Sequence, residues 1–409
     1  MSRRIAAVFA ALAVAAGFAL PAAADRPQRH PTEDNAAQWW AERNQGNKQP
    51  GEEPSPTPDP DETPDPDPDP DVTPDPEPEE PAFPVCTDAV DAAVPFELAI
   101  PNDPRPAKGV YALPATEPVG LVVFSHGYGH SSLSWQEHAA RVARTLNVIA
   151  VAMDGRGLTI LPTEKRPGIP NTAGWPVKTA AEDGIAAAKL FEAACPTVDT
   201  IVNYGVSLGG NTSGIMAAAG ATRADGSPLF DWWVDVEGVN NLIETYLAAR
   251  AVDPTARAAI EAETGGPIES EQDGFTSRTN VLNVEAMKAA GLKGVVLVHG
   301  VDDGLVPINQ SQELFAALTA AEIPTQFFVV TLKSDESERE TSGTGRVFNN
   351  VDSSYRSPFA GHASEMSTTH IVGVTGFERL DAIFAGQPPA CTRVVVNDGQ
   401  AGSTPLVAC

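Results

Sequence analysis

One serine sits in a stretch built to expose its hydroxyl. Asp199–Gly210 reads DTIVNYGVSLGG. From Thr200, the β-forming residues Ile201–Tyr204 run directly into Gly205-Val206-Ser207-Leu208-Gly209. Small, helix-compatible residues follow: Thr212, Ser213, Gly214, Ala217, Ala218 and Ala219. The pattern predicts a strand, a sharp turn and a helix, with Ser207 at the apex. A serine hydroxyl is a weak nucleophile until it is presented to a base, and such a turn presents it. Gly205 and Gly209 lack Cβ atoms, so strand and helix can close tightly around the serine. The start of the helix would also aim free N–H groups at a developing oxyanion. The chemistry this suggests is attack on a carbonyl carbon.

The elements that must position Ser207 are strands alternating with helices. Continuous apolar strands are predicted at Leu121–Ser125, Val148–Met153, Ile201–Tyr204, Asp231–Val236, Gly294–His299 and Gln326–Leu332. Helices are predicted at Trp135–Leu146, Thr179–Ala194, Asn211–Ala221, Gln310–Ala321 and Thr375–Phe384. Apolar strands separated by helices imply an α/β fold: a mainly parallel central sheet with helices on both faces. Two insertions break the rhythm. Asn240–Ala290 is too long for one crossover; Asp253-Pro254 should open a helix in it and Gly265-Gly266 close one, making a helical cap or extra packing. Lys333–Arg356 is a long polar segment after the last core strand.

Three motifs resemble the α/β-hydrolase superfamily, nearest its dienelactone-hydrolase and prolyl-peptidase-like branches, across roughly residues 96–386. They are Ser125-His126-Gly127-Tyr128-Gly129, the turn around Ser207, and Val298-His299-Gly300-Val301-Asp302-Asp303-Gly304-Leu305-Val306-Pro307. The resemblance implies a Ser–Asp–His triad in that chain order. It makes Asp303, three residues after the His-Gly pair, the acid. Asp302 is the adjacent alternative and Glu237 a remoter one. The base is expected at His362 in Ala360-Gly361-His362-Ala363, with His370 as the alternative. Backbone N–H groups of Leu208 and Tyr128 would form the oxyanion hole. His126 is expected to be structural, and His130 and His138 to lie on the surface. Trp232 or Trp233 either lines an acyl pocket or packs in the core. No cofactor and no metal is implied.

Composition bounds the setting. Arg3 and Arg4, the apolar run Ile5–Leu20 and Pro21-Ala22-Ala23-Ala24 read as a secretion signal over residues 1–24. Residues 25–81 read as a disordered acidic linker rich in Pro and Asp. Gly51–Pro81 alone holds 13 acidic residues and no Lys or Arg, and it has no apolar periodicity. It would space the domain, residues 82–409, from a partner or a cell wall. The net charge of −27 argues against nucleic acid or an anionic membrane surface as partner, and no membrane span is expected. The four cysteines, Cys86, Cys195, Cys391 and Cys409, have no CxxC spacing. Behind a signal they should form two disulfides. The sequence-local pairing is Cys391–Cys409, leaving Cys86–Cys195.

The expectation is therefore a secreted, extracellular serine hydrolase that cleaves small or polymeric carboxylic esters through Ser207, His362 and Asp303. Two rival readings stand beside it: a secreted peptidase or amidase with the same triad, and a non-catalytic surface interaction protein on a hydrolase scaffold.

Overall fold

The structure is a computed structural model. It describes residues 86–88, 92–301, 303, 305–331, 362–363, 366, 370–387, 392–397 and 400–402, all in the unit Lys48–Cys409. The expected signal and linker, Asp302, Lys333–Arg356, Cys391 and Cys409 lie outside the described residues.

The chain first forms β1 (Val94–Leu98), β2 (Ala107–Ala112), β3 (Gly120–Ser125), helix α1 (Gln136–Leu146) and β4 (Val148–Met153). A hairpin, β5 (Thr159–Arg166) and β6 (Ile169–Ala173), precedes α2 (Val177–Ala194), β7 (Thr200–Val206), α3 (Leu208–Ala218) and β8 (Trp232–Val236). The insertion folds as α4 (Leu242–Val252), α5 (Pro254–Thr264), α6 (Gln272–Thr276) and α7 (Val284–Ala289). Then come β9 (Gly294–Gly300), α8 (Asn309–Ala320), β10 (Thr325–Thr331), α9 (Ile371–Phe384), β11 (Thr392–Asn397) and β12 (Gln400–Gly402).

Ten of these strands make one sheet in the order β1-β2-β4-β3-β7-β8-β9-β10-β11-β12. From β4 to β11 every neighbouring pair is parallel; β1, β2 and β12 are joined antiparallel at the edges. Alternation along the strands divides the core. Val122, Phe124, Val202, Tyr204, Val234 and Val296 pack with α1 and α9 on one face. Leu121, Val123, Ile149 and Ile201 pack with α2 on the other, where Val295, Leu297 and Phe327 meet α8. Burying each such side chain stabilises the fold by about 1.5–3 kcal/mol, so the central strands are fixed on both faces. In open sheets of this kind, ligand sites form beyond the C-terminal ends of the parallel strands.

The parallel sheet and its two helical layers agree with the sequence expectation. Several boundaries do not. Helix α3 begins at Leu208, three residues before the expected start, although Gly209 and Gly210 are poor helix formers. Helix α9 begins at Ile371 and absorbs the run Ile371–Val374. In both cases packing against the sheet overrides local propensity. The edge strands β1, β2, β11 and β12 and the β5–β6 hairpin were not anticipated. Asp253 does cap α5, accepting from the N–H groups of Thr255 and Ala256, and Gly265 closes that helix at φ 95°. Cys86 and Cys195 form the expected disulfide, with Cα atoms 5.6 Å apart. Among the described residues no helix is long and apolar enough to cross a membrane.

Candidate active site

Ser207 stands between β7 and α3 at φ 59° and ψ −122°, backbone angles that a residue with a side chain rarely adopts. Three backbone hydrogen bonds hold it there. Its N–H donates to the Val236 carbonyl at 3.0 Å, and its own carbonyl accepts from Gly210 at 2.9 Å and Val239 at 3.0 Å. The two glycines earn their places by proximity. A Cβ at Gly205 would lie 2.1 Å from the Gly209 carbonyl oxygen, and one at Gly209 would lie 2.1 Å from the Ser125 carbonyl oxygen. The second contact shows how the start of α3 is pressed against the end of β3. It brings Leu208 beside the His126-Gly127-Tyr128 loop. Leu208 is the first residue of α3, where a helix leaves its N–H without an internal acceptor. Neither the Leu208 nor the Tyr128 N–H meets a backbone acceptor among the described loops and turns.

Asp303 follows β9 and is buried. Its Oδ1 accepts from the N–H groups of Leu305 at 2.8 Å and Val306 at 2.9 Å, which fixes the carboxylate in its turn. Its Oδ2 accepts from His362 Nδ1 at 2.7 Å. His299, at the end of β9, points Nε2 at the same oxygen from 3.4 Å and bonds the Val306 carbonyl at 2.8 Å. Burial alone would raise the Asp303 carboxyl, but the His362 charge and the bonds from His299 and His362 outweigh it and hold the group well below the usual carboxylate range. With Nδ1–H donating to Asp303, the acceptor nitrogen of His362 is Nε2.

Glu237, the remoter candidate acid, lies beside this pair. It follows β8 at φ 51°, fully buried. Its Oε1 accepts from the Gly300 N–H at 3.2 Å, and its Oε2 from the Ala363 N–H at 2.5 Å. The latter oxygen is also 3.5 Å from His362 Nδ1. Burial, followed by the neighbouring Asp303 charge, pushes this carboxyl up to about 7. Ligand atoms of Glu237, Asp303 and His362 fall within 4.8 Å of one another, a spacing that could enclose a metal ion. Here Asp303 bonds His362, and Glu237 bonds the amides of Gly300 and Ala363.

The turn Val236–Val239 therefore serves the whole site. Val236 and Val239 bond the backbone of Ser207, and Glu237 bonds the loops that carry Asp303 and His362. Asp303 and His362 are brought into direct contact. His370, the rival base, is the buried N-cap of α9, and burial lowers it to about 4. His126 is structural, its ring between the carbonyls of Gly127 and Asp154. His130 and His138 are buried rather than on the surface; His138 stacks on Phe377 at 4.4 Å. Trp232 and Trp233 open β8, at the end of the strand away from Ser207. Trp233 is buried and donates to Ser213 Oγ at 2.7 Å, and Trp232 packs half-buried against the core, so both take the core-packing alternative.

Two further groups frame the site. The β5–β6 hairpin is stitched to the Tyr128 loop: Thr172 donates through its N–H to Gly129 and through Oγ1 to the His130 carbonyl at 2.6 Å. The insertion packs Leu242, Tyr246, Ile260 and Phe275 in one apolar cluster with Leu208, Val306 and Trp175, and Tyr128 leans on Trp175 at 5.5 Å. Burial and the Asp253 charge raise the Tyr128 phenol.

A parallel sheet with helices on both faces, and a serine on a strained strand-to-helix turn, define the α/β-hydrolase fold. The chain's sequence matches the prolyl oligopeptidase family over residues 135–335. No curated protein matches it. Among solved structures it is similar to a puromycin-hydrolysing peptidase of Mycobacterium tuberculosis, with 16% identity over 75% of this chain and 41% of that one and a TM-score of 0.48. An acylaminoacyl peptidase of Pyrococcus horikoshii gives 16% identity over 60% and 37% of the two chains, with a TM-score of 0.41. An esterase of Pyrobaculum calidifontis gives 18% identity over 58% and 75%, with a TM-score of 0.42. The chain spans less than half the length of the first two.

Proposed function

We propose that this protein cleaves carboxylic esters through an acyl-enzyme formed on Ser207. The observation that carries the reading is the Asp303–His362 hydrogen bond of 2.7 Å, linked through Glu237 to the turn that seats Ser207. His362 Nε2 takes the proton from Ser207 Oγ as that oxygen attacks the carbonyl carbon. Asp303 keeps Nδ1 protonated and stabilises the imidazolium. The oxyanion lies on the N–H groups of Leu208 and Tyr128. His362 returns its proton to the leaving alcohol, and water repeats the sequence to free the acid. The helices of the insertion, packed beside Leu208 and Trp175, act as a cap. The protein works outside the cell, with residues 25–81 as a spacer that holds the domain near a surface or wall.

A fluorophosphonate probe tests the nucleophile. Wild-type protein should label, and Ser207→Ala should neither label nor turn over ester while staying folded; a labelled Ala variant would sink the assignment. The match to the prolyl oligopeptidase family favours a second reading, cleavage of an amide bond. A panel of p-nitrophenyl esters against aminoacyl and peptidyl anilides separates the two. The ester reading expects kcat/KM on the esters to exceed that on every anilide, and the reverse order would replace it.

A further inference from the structure

We propose that Glu237 is a positioning residue for the base: its carboxyl ties the histidine loop to the acid loop and places a second carboxyl beside Nδ1 of His362. The inference rests on the triad reading above and extends it.

Three observations carry it. The first is cost. A glutamate at φ 51° holds a strained backbone conformation, and its carboxyl is fully buried as well. Such a combination persists only where the surroundings hold it. The second is connection. Glu237 N–H donates to Val298 at 2.8 Å, Gly300 N–H donates to Oε1, and Ala363 N–H donates to Oε2. One residue thus joins β8, the end of β9 and the residue after His362. The Ala363 bond spans 126 positions of sequence, and it acts one residue from the imidazole. The third is placement: Oε2 is 3.5 Å from His362 Nδ1, on the atom that keeps its proton through the reaction.

Four charged and titratable groups surround His362, and they come from three elements. They are Asp303 after β9, Glu237 after β8, His299 within β9 and His370 at the start of α9. Only the two carboxyls favour the imidazolium; the histidines, when charged, oppose it. The imidazolium charge draws the buried Glu237 carboxyl back toward its ionised form, and in that form it should fix the ring and raise its basicity, so its removal should lower the pH at which the base becomes active.

The test is steady-state hydrolysis of p-nitrophenyl butyrate by the full chain across pH, with fluorophosphonate labelling alongside. Glu237→Gln keeps the shape but sets an amide group against a loop N–H. It should lower kcat about 10–100-fold, leave KM within about twofold, and move the acid limb of kcat/KM down by about one unit. Glu237→Asp, which restores a carboxyl, should recover part of kcat and return the limb toward its original position. A folded Gln variant with wild-type kcat and an unmoved limb would overturn the proposal. If Gln does not fold, Asp303→Asn decides. With Glu237 beside the same nitrogen, its loss in kcat should stop at about 10²–10³-fold, and a loss near the 10⁴-fold seen when a sole orienting acid is removed would refute it. Absence of labelling in the unsubstituted protein would overturn the hydrolase reading and this inference together. Labelling with indifferent Glu237 variants would overturn this inference alone.

Discussion

Adding one methyl group at Gly209 should damage catalysis more than stability. A Cβ there would lie 2.1 Å from the Ser125 carbonyl oxygen, 2.6 Å from its carbon and 3.0 Å from the His126 oxygen. All three are backbone atoms, and strand β3 cannot retreat because it is bonded to β4 on one side and β7 on the other. The start of α3 must move instead, by more than an ångström, to reach ordinary contact. Overpacking of this kind costs about 1–3 kcal/mol, partly offset by about 1 kcal/mol from replacing glycine in a helix. The net loss of stability is modest. The same displacement carries the Leu208 N–H away from the Tyr128 N–H. Loss of one oxyanion donor costs about 10²–10³-fold in kcat. Gly209→Ala should therefore lose about two to three orders of magnitude in kcat on p-nitrophenyl butyrate, with KM little changed and the thermal midpoint lowered by a few degrees. Gly373→Ala is the control. It lies in α9, and its Cβ would meet nothing within 4 Å, so activity should be unchanged and stability equal or slightly higher. A Gly209→Ala protein with wild-type kcat would show that the approach of α3 to β3 does not set the oxyanion geometry.

Two other perturbations separate catalytic from structural roles. His362→Ala should abolish turnover, whereas His370→Gln should keep turnover and labelling and change the acid stability. His370 is depressed to about 4 in the folded state, so its stability contribution is complete above the unfolded value of about 6.5 and is lost as pH falls from there toward 4. Denaturation curves should show wild type losing up to about 3 kcal/mol more than the Gln variant across that window, and parallel curves would refute the buried neutral histidine. The Cys86–Cys195 disulfide closes a loop with a sequence separation of 109. Replacing both cysteines by serine should cost about 2–5 kcal/mol in urea denaturation without altering kcat, and an unchanged midpoint would contradict it.

The parts of the site made by backbone were legible because backbone geometry leaves marks in the sequence. Gly205 and Gly209 have no room for a Cβ, and their spacing around Ser207 records that fact. Asp253-Pro254 and Gly265 announce the ends of α5 for the same reason. The core strands were legible because both faces are buried, leaving unbroken apolar runs. The edge strands were not. β1 is buried on alternate residues at most, and every residue of β5 is exposed, so neither carries the apolar run of a core strand. Helix α9 opens with the β-branched residues Ile371, Val372 and Val374, and burial of Val372, Phe377 and Leu380 against the sheet holds the segment as helix.

Glu237 shows where such reading stops. Ser207, Asp303 and His362 each sit in a local pattern, but the worth of Glu237 lies in contacts 63 and 126 positions away. Within its own segment, Trp232–Val239, it reads as no more than a remote candidate acid at the end of a strand. One local sign was available. Gly238 follows it, and a Cβ there would lie 1.9 Å from Asp235 Oδ1, which means the turn after β8 is as tightly folded as the turn after β7. Two neighbouring parallel strands thus end in residues with positive φ, Ser207 and Glu237, and their turns are bonded to each other. On the proposed mechanism, strain at Ser207 serves to present the hydroxyl. Strain at Glu237 would serve the complementary end: it turns a buried carboxyl back over the sheet, where the loops of Asp303 and His362 are held to the same turn as Ser207.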